Sequence, residues 1–79
     1  MSLAKIYITL KKTVLDPQGV TVKKALESLG YQGIEDVRVG KYLEIKATGL
    51  NTQTIEQMCD RLLANPVIED YRFEIEEVK

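Results

Sequence analysis

Residues 14–19 read Val14-Leu15-Asp16-Pro17-Gln18-Gly19 and join a predicted strand to a predicted helix. Asp16 suits the N-cap, because a carboxylate accepts the free backbone N–H groups of a first helical turn. Pro17 suits the first helical position, where a missing N–H costs nothing. Capping does not explain Gln18 or Gly19, since glycine within a helix costs roughly 1 kcal/mol relative to alanine. Residues 14–19 therefore predict a helix start that also has a role beyond capping.

The flanking patterns predict a strand before this segment and a helix after it. Residues 5–11 alternate, with Ile6, Ile8 and Leu10 on one side, as in a strand with one buried face. After Pro17 the apolar residues follow helical spacing, which is typical of an amphipathic helix that ends at Gly30. The stripe of this first helix comprises Val22, Ala25, Leu26 and Leu29.

The second half of the chain repeats this order of elements. We predict a strand over residues 35–40, with Val37 and Val39 inward, and an odd-length turn at Gly40-Lys41-Tyr42. A third strand and a second helix follow, the latter capped by Asn51 or Thr52 and ended by Asn65-Pro66. The last strand spans about residues 69–78. The predicted inward residues are Leu43, Ile45 and Ala47, then Ile55, Met58, Cys59, Leu62 and Leu63, then Tyr71, Phe73 and Ile75.

The order β-α-β-β-α-β predicts a single α+β domain over residues 1–79. Right-handed crossovers would place both helices on one face of a four-stranded, mainly antiparallel sheet, as in a ferredoxin-like sandwich. The other sheet face carries polar residues, which is compatible with simple solvation. Tyrosine and arginine are favoured at interfaces, so we also predict self-association through Tyr7, Thr9 and Arg72.

Composition narrows the possible partners and the compartment. Eleven basic and twelve acidic residues give a net charge of −1, which does not favour nucleic acid or an anionic membrane surface. The sequence shows neither an apolar run long enough for a membrane span nor a signal-peptide pattern, so we expect a cytoplasmic protein. The one cysteine, Cys59, lies in the apolar stripe of the second helix and is predicted to be structural.

No residue pattern in the chain predicts catalytic, cofactor-binding or metal-binding residues. Histidine, the commonest general base, is missing, and so are the glycine-rich phosphate-binding motifs. A polar cluster remains at the ends of two strands and the start of the first helix. We predict that it binds a protein partner, and that Gln18, Arg38 and Lys41 have no role in folding. The cluster comprises Lys11, Asp16, Gln18, Gly19, Arg38, Gly40 and Lys41.

Several of these motifs together resemble a known family, the small PurS subunits of phosphoribosylformylglycinamidine synthase. The resemblance is carried by Leu10-Lys11, residues 14–19, Ala25-Leu26 with Leu29-Gly30, residues 37–41, and residues 63–71. It implies a non-catalytic subunit that assembles an ATP-dependent large subunit with a glutaminase subunit in purine biosynthesis. It also implies a dimer, or a dimer of dimers. ATP, magnesium and glutamine would be used by the partner subunits, with no cofactor bound by this chain.

Two other function classes share this order of elements. A regulatory domain that senses small molecules would bind a metabolite between two chains, whereas an assembly subunit would bind only its protein partners. A small acyl-phosphate hydrolase would need an anion-binding loop with arginine and asparagine after the first strand. Lys11-Lys12-Thr13 does not supply such a loop.

Overall fold

The computed structural model describes residues 1–78 as an antiparallel sheet with two helical segments. The elements are β1 (Ser2–Leu10), α1 (Pro17–Ser28), β2 (Gly40–Ala47), α2 (Thr52–Met58), which continues as a π-helical turn (Cys59–Leu63), and β3 (Glu69–Glu77). The strand order is β2-β1-β3, and both outer strands run antiparallel to β1. The α+β class and the antiparallel sheet are therefore confirmed.

The core forms between the central strand and α2. Alternation in β1 buries Ala4, Ile6 and Ile8 completely, and Ile55 and Cys59 of the helical segment are buried against them. The predicted inward residues of β2 and β3 border this core and are partly buried: Leu43, Ile45, Tyr71, Phe73 and Ile75. Period-2 alternation thus assigned the faces of all three strands correctly.

A π-helical turn changes the phase of the second helix. The Ala64 N–H donates to the Cys59 carbonyl at 2.9 Å, five residues back, and such a turn is wider than an α-helical one. Leu63 therefore packs against the core while Leu62 is 82% exposed. The predicted stripe is confirmed for Ile55 and Cys59 and wrong for Leu62. The cap is confirmed as well, since Asn51 accepts the Thr54 N–H at 2.9 Å.

The predicted strand over residues 35–40 is wrong, and so is the turn at residues 40–42. Residues 31–39 have no regular secondary structure, and Gly40 is already the first residue of β2. The physical reason is that residues 35–39 are bound elsewhere. The Val39 N–H donates to Asp16, and Lys23 of α1 donates to the Glu35 carbonyl at 3.0 Å. The sheet described by residues 1–78 consequently has three strands, and the outer edge of β2 is unpaired.

The prediction that both helices cover one sheet face holds for α2 alone. No residue of α1 belongs to the core, and Gly19 is its one buried residue. The radius of gyration is 16.0 Å, whereas a compact chain of this length has about 12 Å. Helix α1 nevertheless begins as predicted at Pro17, and it ends before Gly30, whose φ of 98° is the left-handed conformation of a helix stop. Within residues 1–78 no helix is long and apolar enough to cross a membrane.

Cys59 should be unreactive in the folded chain. Its side chain is fully buried, and this burial raises the pKa of its thiol. Since the thiolate is the reactive form, we expect slow modification by a thiol reagent in buffer and fast modification in denaturant. Cys59→Ala should lower the free energy of unfolding by roughly 1 kcal/mol through lost burial. Equal modification rates in buffer and in denaturant would contradict this assignment.

Candidate protein-interaction site

The candidate site is built around the Asp16 carboxylate. Asp16 caps α1 by accepting the Gly19 N–H at 2.8 Å, and its second oxygen accepts the Val39 N–H at 2.7 Å. These two hydrogen bonds, the one from Val39 first, hold the pKa of the Asp16 carboxyl below its usual range, since they stabilise the charged form. The residue is almost fully buried. Asp16 thus joins the start of α1 to the segment that leads into β2.

Gly19 lies where that segment touches the helix. A Cβ atom at this position would overlap the Val37 carbonyl oxygen, a backbone atom that cannot move aside independently. Glycine is therefore required here for close approach of two backbone segments. The contact explains why a helix-disfavouring residue stands in the first turn, which capping alone left unexplained.

Arg38 also has a structural role, so the prediction that it has none is wrong. Its guanidinium Nη2 donates to the carbonyls of Lys11 and Val14, at 2.8 and 2.9 Å. Both carbonyls belong to the loop between β1 and α1, so Arg38 links the segment before β2 to that loop. Arg38 is exposed to solvent, yet its guanidinium is engaged in hydrogen bonds within the chain.

The remaining predicted residues of the cluster separate into two places. Gln18, Gly40 and Lys41 line one small cavity of about 180 Å³, and the Lys41 ammonium lies 3.5 Å from a Glu69 carboxylate oxygen. Lys11 lies at the end of β1, where its ammonium is 3.1 Å from Asp70. The cavity is further lined by Ile8, Leu10, Val39 and Glu69. Gln18 and Lys41 stand at its border with exposed side chains.

Sequence reasoning missed Glu69. Its side chain lies on the core face of β3, accepts the Asn65 N–H at 2.7 Å and pairs with Lys41. A signal was present, because alternation from Tyr71 places Glu69 on the inward face, where an unpaired carboxylate is unfavourable. An acidic residue at an inward strand position therefore predicts a nearby cation or N–H group.

The residues predicted for self-association share the open face of the sheet. The Arg72 guanidinium carbon lies 3.9 Å from the centre of the Tyr7 ring, a cation–π contact, and Thr9 is exposed two residues further along β1. Tyr42, which we had placed in a turn, extends this row, with its ring centre 5.0 Å from that of Tyr7. A hydrogen bond to Glu44 raises the pKa of Tyr42 to about 12.

Comparison with known proteins assigns the family. A family model described as PurS, phosphoribosylformylglycinamidine (FGAM) synthase, matches residues 3–77. The chain belongs to the PurS family. The PurS subunit of Bacillus subtilis is 48% identical over 81 residues, covering 99% of this chain and 96% of the relative, and that of Methanocaldococcus jannaschii is 40% identical over 83 residues, covering all of both. The chain is thus a small subunit of FGAM synthase, as the resemblance implied.

Solved PurS structures share the fold. The Bacillus subtilis PurS structure is 49% identical with a TM-score of 0.85, covering 98% of this chain and all of that one. A chain of the Thermotoga maritima PurLQS structure is 27% identical with a TM-score of 0.75, and covers 96% of this chain and all of its own length. This chain therefore shares its fold with a chain of a PurLQS structure.

Gly19→Ala tests the close approach at the helix start. Glycine-to-alanine changes in a helix usually stabilise by roughly 0.5–1 kcal/mol. Here the added methyl overlaps the Val37 carbonyl, so we expect the free energy of unfolding to fall by about 1–3 kcal/mol, as overpacking does. Ser28→Ala, in the exposed last turn of α1, is the matched control and should stay within about 0.5 kcal/mol of the parent. Urea denaturation measures both, and a stabilised Gly19→Ala variant would refute the contact.

Asp16→Asn tests the charge of the cap through pH. The folded carboxyl has a lowered pKa, so its stabilising effect is complete above the unfolded value of about 3.9 and disappears as pH falls through the folded value. The parent should melt at a higher temperature than Asp16→Asn at pH 7, and the difference should shrink as the pH is lowered from about 5 to 3. Melting curves at each pH measure this. A difference that stays constant over that range would show that the charge is not what Asp16 contributes.

Proposed function

We propose that this chain has no catalytic role of its own and joins the large, ATP-dependent subunit of FGAM synthase to the glutaminase subunit. The observation that carries this proposal is the near full-length match to a chain of the Thermotoga maritima PurLQS structure. Exposed large apolar residues within residues 1–78, among them Leu15, Leu29 and Leu62, support it, since exposed apolar surface marks interaction sites when it is contiguous. ATP, magnesium and glutamine would be bound by the partner subunits. A cytoplasmic location agrees with one unpaired, buried cysteine.

We further propose that Gln18 and Lys41 contact one of the larger subunits. Both are exposed at the border of the cavity beside α1, and no side-chain hydrogen bond of Gln18 within residues 1–78 serves the fold. The Lys41–Glu69 pair leaves Lys41 60% exposed, so it is weak in solvent and free to exchange partners on binding. Asp16, Gly19 and Arg38 would then act indirectly, by fixing the segment that positions this border.

Substitution of these residues separates binding from folding. Gln18→Ala should melt like the parent, because exposed substitutions change stability by no more than about 0.5 kcal/mol. Lys41→Ala should melt only slightly lower, because Glu69 loses its ammonium partner but keeps the Asn65 N–H. Each should weaken binding to the large or glutaminase subunit, and the double variant should lower glutamine-dependent amidine formation by the reconstituted synthase. The measurements are partner affinity, melting temperature and ligase rate in the presence of all three subunits.

Two controls make this experiment specific. Lys12→Ala removes an exposed lysine from the adjacent loop and should bind like the parent. Arg38→Ala should lower the melting temperature, because it frees the Lys11 and Val14 carbonyls. Parent-like affinity in the Gln18 and Lys41 variants would refute this surface. Turnover of ATP or glutamine by the purified chain alone would refute the non-catalytic role.

A further inference from the structure

Two large apolar side chains lie in loops that leave them mostly uncovered. The first is Leu15, which directly precedes the N-cap Asp16. From this position an apolar residue commonly packs on the fourth helical residue, here Val20. Leu15 nevertheless remains 75% exposed and Val20 is 41% exposed, so a contact between them covers little of either side chain. The start of α1 therefore does not explain why residue 15 is apolar.

Val67 is the second of these residues and belongs to the loop before β3. That loop is a tight turn, in which the Ile68 N–H donates to the Asn65 carbonyl at 3.1 Å and the Val67 N–H donates to the Asn65 side chain at 3.0 Å. Pro66 suits the first central position of a turn, whereas the second is usually a small or polar residue. Val67 occupies that second position and is 79% exposed. Formation of the turn thus does not require an apolar residue at position 67.

Backbone hydrogen bonds hold these two loops side by side at one end of the sheet. The Lys11 N–H donates to the Ile68 carbonyl at 2.8 Å. The guanidinium of Arg38 binds the carbonyls of Lys11 and Val14, which fixes the first loop from its other side. Exposed apolar side chains on adjacent, well-held loops mark an interaction site. The exposed apolar residues of the two loops, here called the loop patch, are Leu15, Val67 and Ile68.

The surroundings of the loop patch are basic, although the chain as a whole has a net charge of −1. The first loop contributes two lysines, and Arg38 binds its backbone. The acidic residue of that loop, Asp16, is almost fully buried, and residues 64–68 carry no charged side chain. Of the two lysines, Lys11 pairs with Asp70 of β3. A complementary partner surface is therefore apolar at its centre and acidic at its border.

The loop patch is continuous with the surface proposed above to bind a larger subunit. Leu10 and Glu69, which line the cavity beside Gln18 and Lys41, are the last paired residues of β1 and β3 before the two loops. Leu15 lies three residues before Gln18 in the chain. One partner that covers the border of the cavity can therefore cover the loop patch as well.

We infer that the loop patch is the apolar centre of the contact with the larger subunit that Gln18 and Lys41 bind. Leu15 and Val67 enter a cleft of that subunit, which is apolar inside and carries carboxylates at its border. This inference rests on the proposed function and adds the chemistry of the partner surface. Because the loops are held in place before binding, little conformational freedom is lost on contact. Burial of the apolar side chains supplies affinity, whereas the charges at the border mainly change the rate of association.

Polar substitution of the loop patch measures its contribution to binding. Leu15→Ser and Val67→Ser should each weaken affinity for that subunit by roughly tenfold or more, because each removes a buried apolar side chain from the contact. The matched controls Leu15→Met and Val67→Ile keep the apolar surface and should bind like the parent. All four variants should melt and sediment like the parent, since both positions are exposed. The measurements are affinity for each larger subunit, melting temperature and sedimentation of the chain alone.

Charge at Thr13 supplies an independent measurement, because this residue is exposed in the first loop. At low salt, Thr13→Lys should bind that subunit at a higher association rate than the parent, and Thr13→Glu at a lower one. The two rates should converge at high salt, where exposed charges are screened. The opposite order of rates would overturn the acidic border of the cleft.

The remaining outcomes separate this inference from the proposed function. Parent-like affinity in the two serine variants, beside weakened binding by Gln18→Ala and Lys41→Ala, would refute the loop patch alone. Serine variants that lose self-association would also refute it, since a second copy would then cover the patch. The same holds if Leu15→Ser and Lys41→Ala lose affinity for different subunits. A parent chain that binds neither larger subunit would refute the proposed function, and the loop patch with it.

Discussion

The architecture depends on one buried carboxylate that accepts two backbone N–H groups. Asp16 Oδ1 binds the N–H of Gly19, three residues along its own helix, and Oδ2 binds that of Val39, twenty-three residues away. The first bond starts α1, and the second holds residues 37–39 against that start. Because the carboxylate is almost fully buried, loss of either donor would leave a charged acceptor poorly solvated. The local cap and the long-range connection are therefore parts of a single interaction.

Helix α1 and residues 35–39, which this interaction joins, lie outside the core. With residues 35–39 bound to α1, the sheet of residues 1–78 has an open edge at β2. Of the two helical segments, only the one that begins with α2 packs on a face of this sheet. The buried core then comprises six side chains, among them Ile6 and Ile8, which is a small core for a chain of 79 residues. Small domains of this kind gain stability by association.

The sequence was sufficient to predict the strands and helices that pack on the core. Alternation in β1 and β3, the Asp16 and Asn51 caps and the Ile55–Cys59 stripe depend on near neighbours, and each was confirmed. Residues 35–40 alternate like a strand, yet their partners are a carboxylate, a glycine and a lysine of α1. Periodicity indicates which face of a segment becomes covered, and it carries no information on what covers it. The π-helical turn that begins at Cys59 could not be predicted either, because no residue type is specific to such a turn.

The candidate site was predicted as one surface, but the structure divides its residues into two groups. The first group, Asp16, Gly19 and Arg38, contacts backbone atoms of distant residues. Because a sequence pattern does not show such contacts, the sequence could not distinguish a folding role of these residues from a binding role. Gln18 and Lys41 remain exposed, and Val39 and Gly40 line the cavity between them. Gly40 is also the first residue of β2, so the segment that Asp16 holds through Val39 leads directly into that strand.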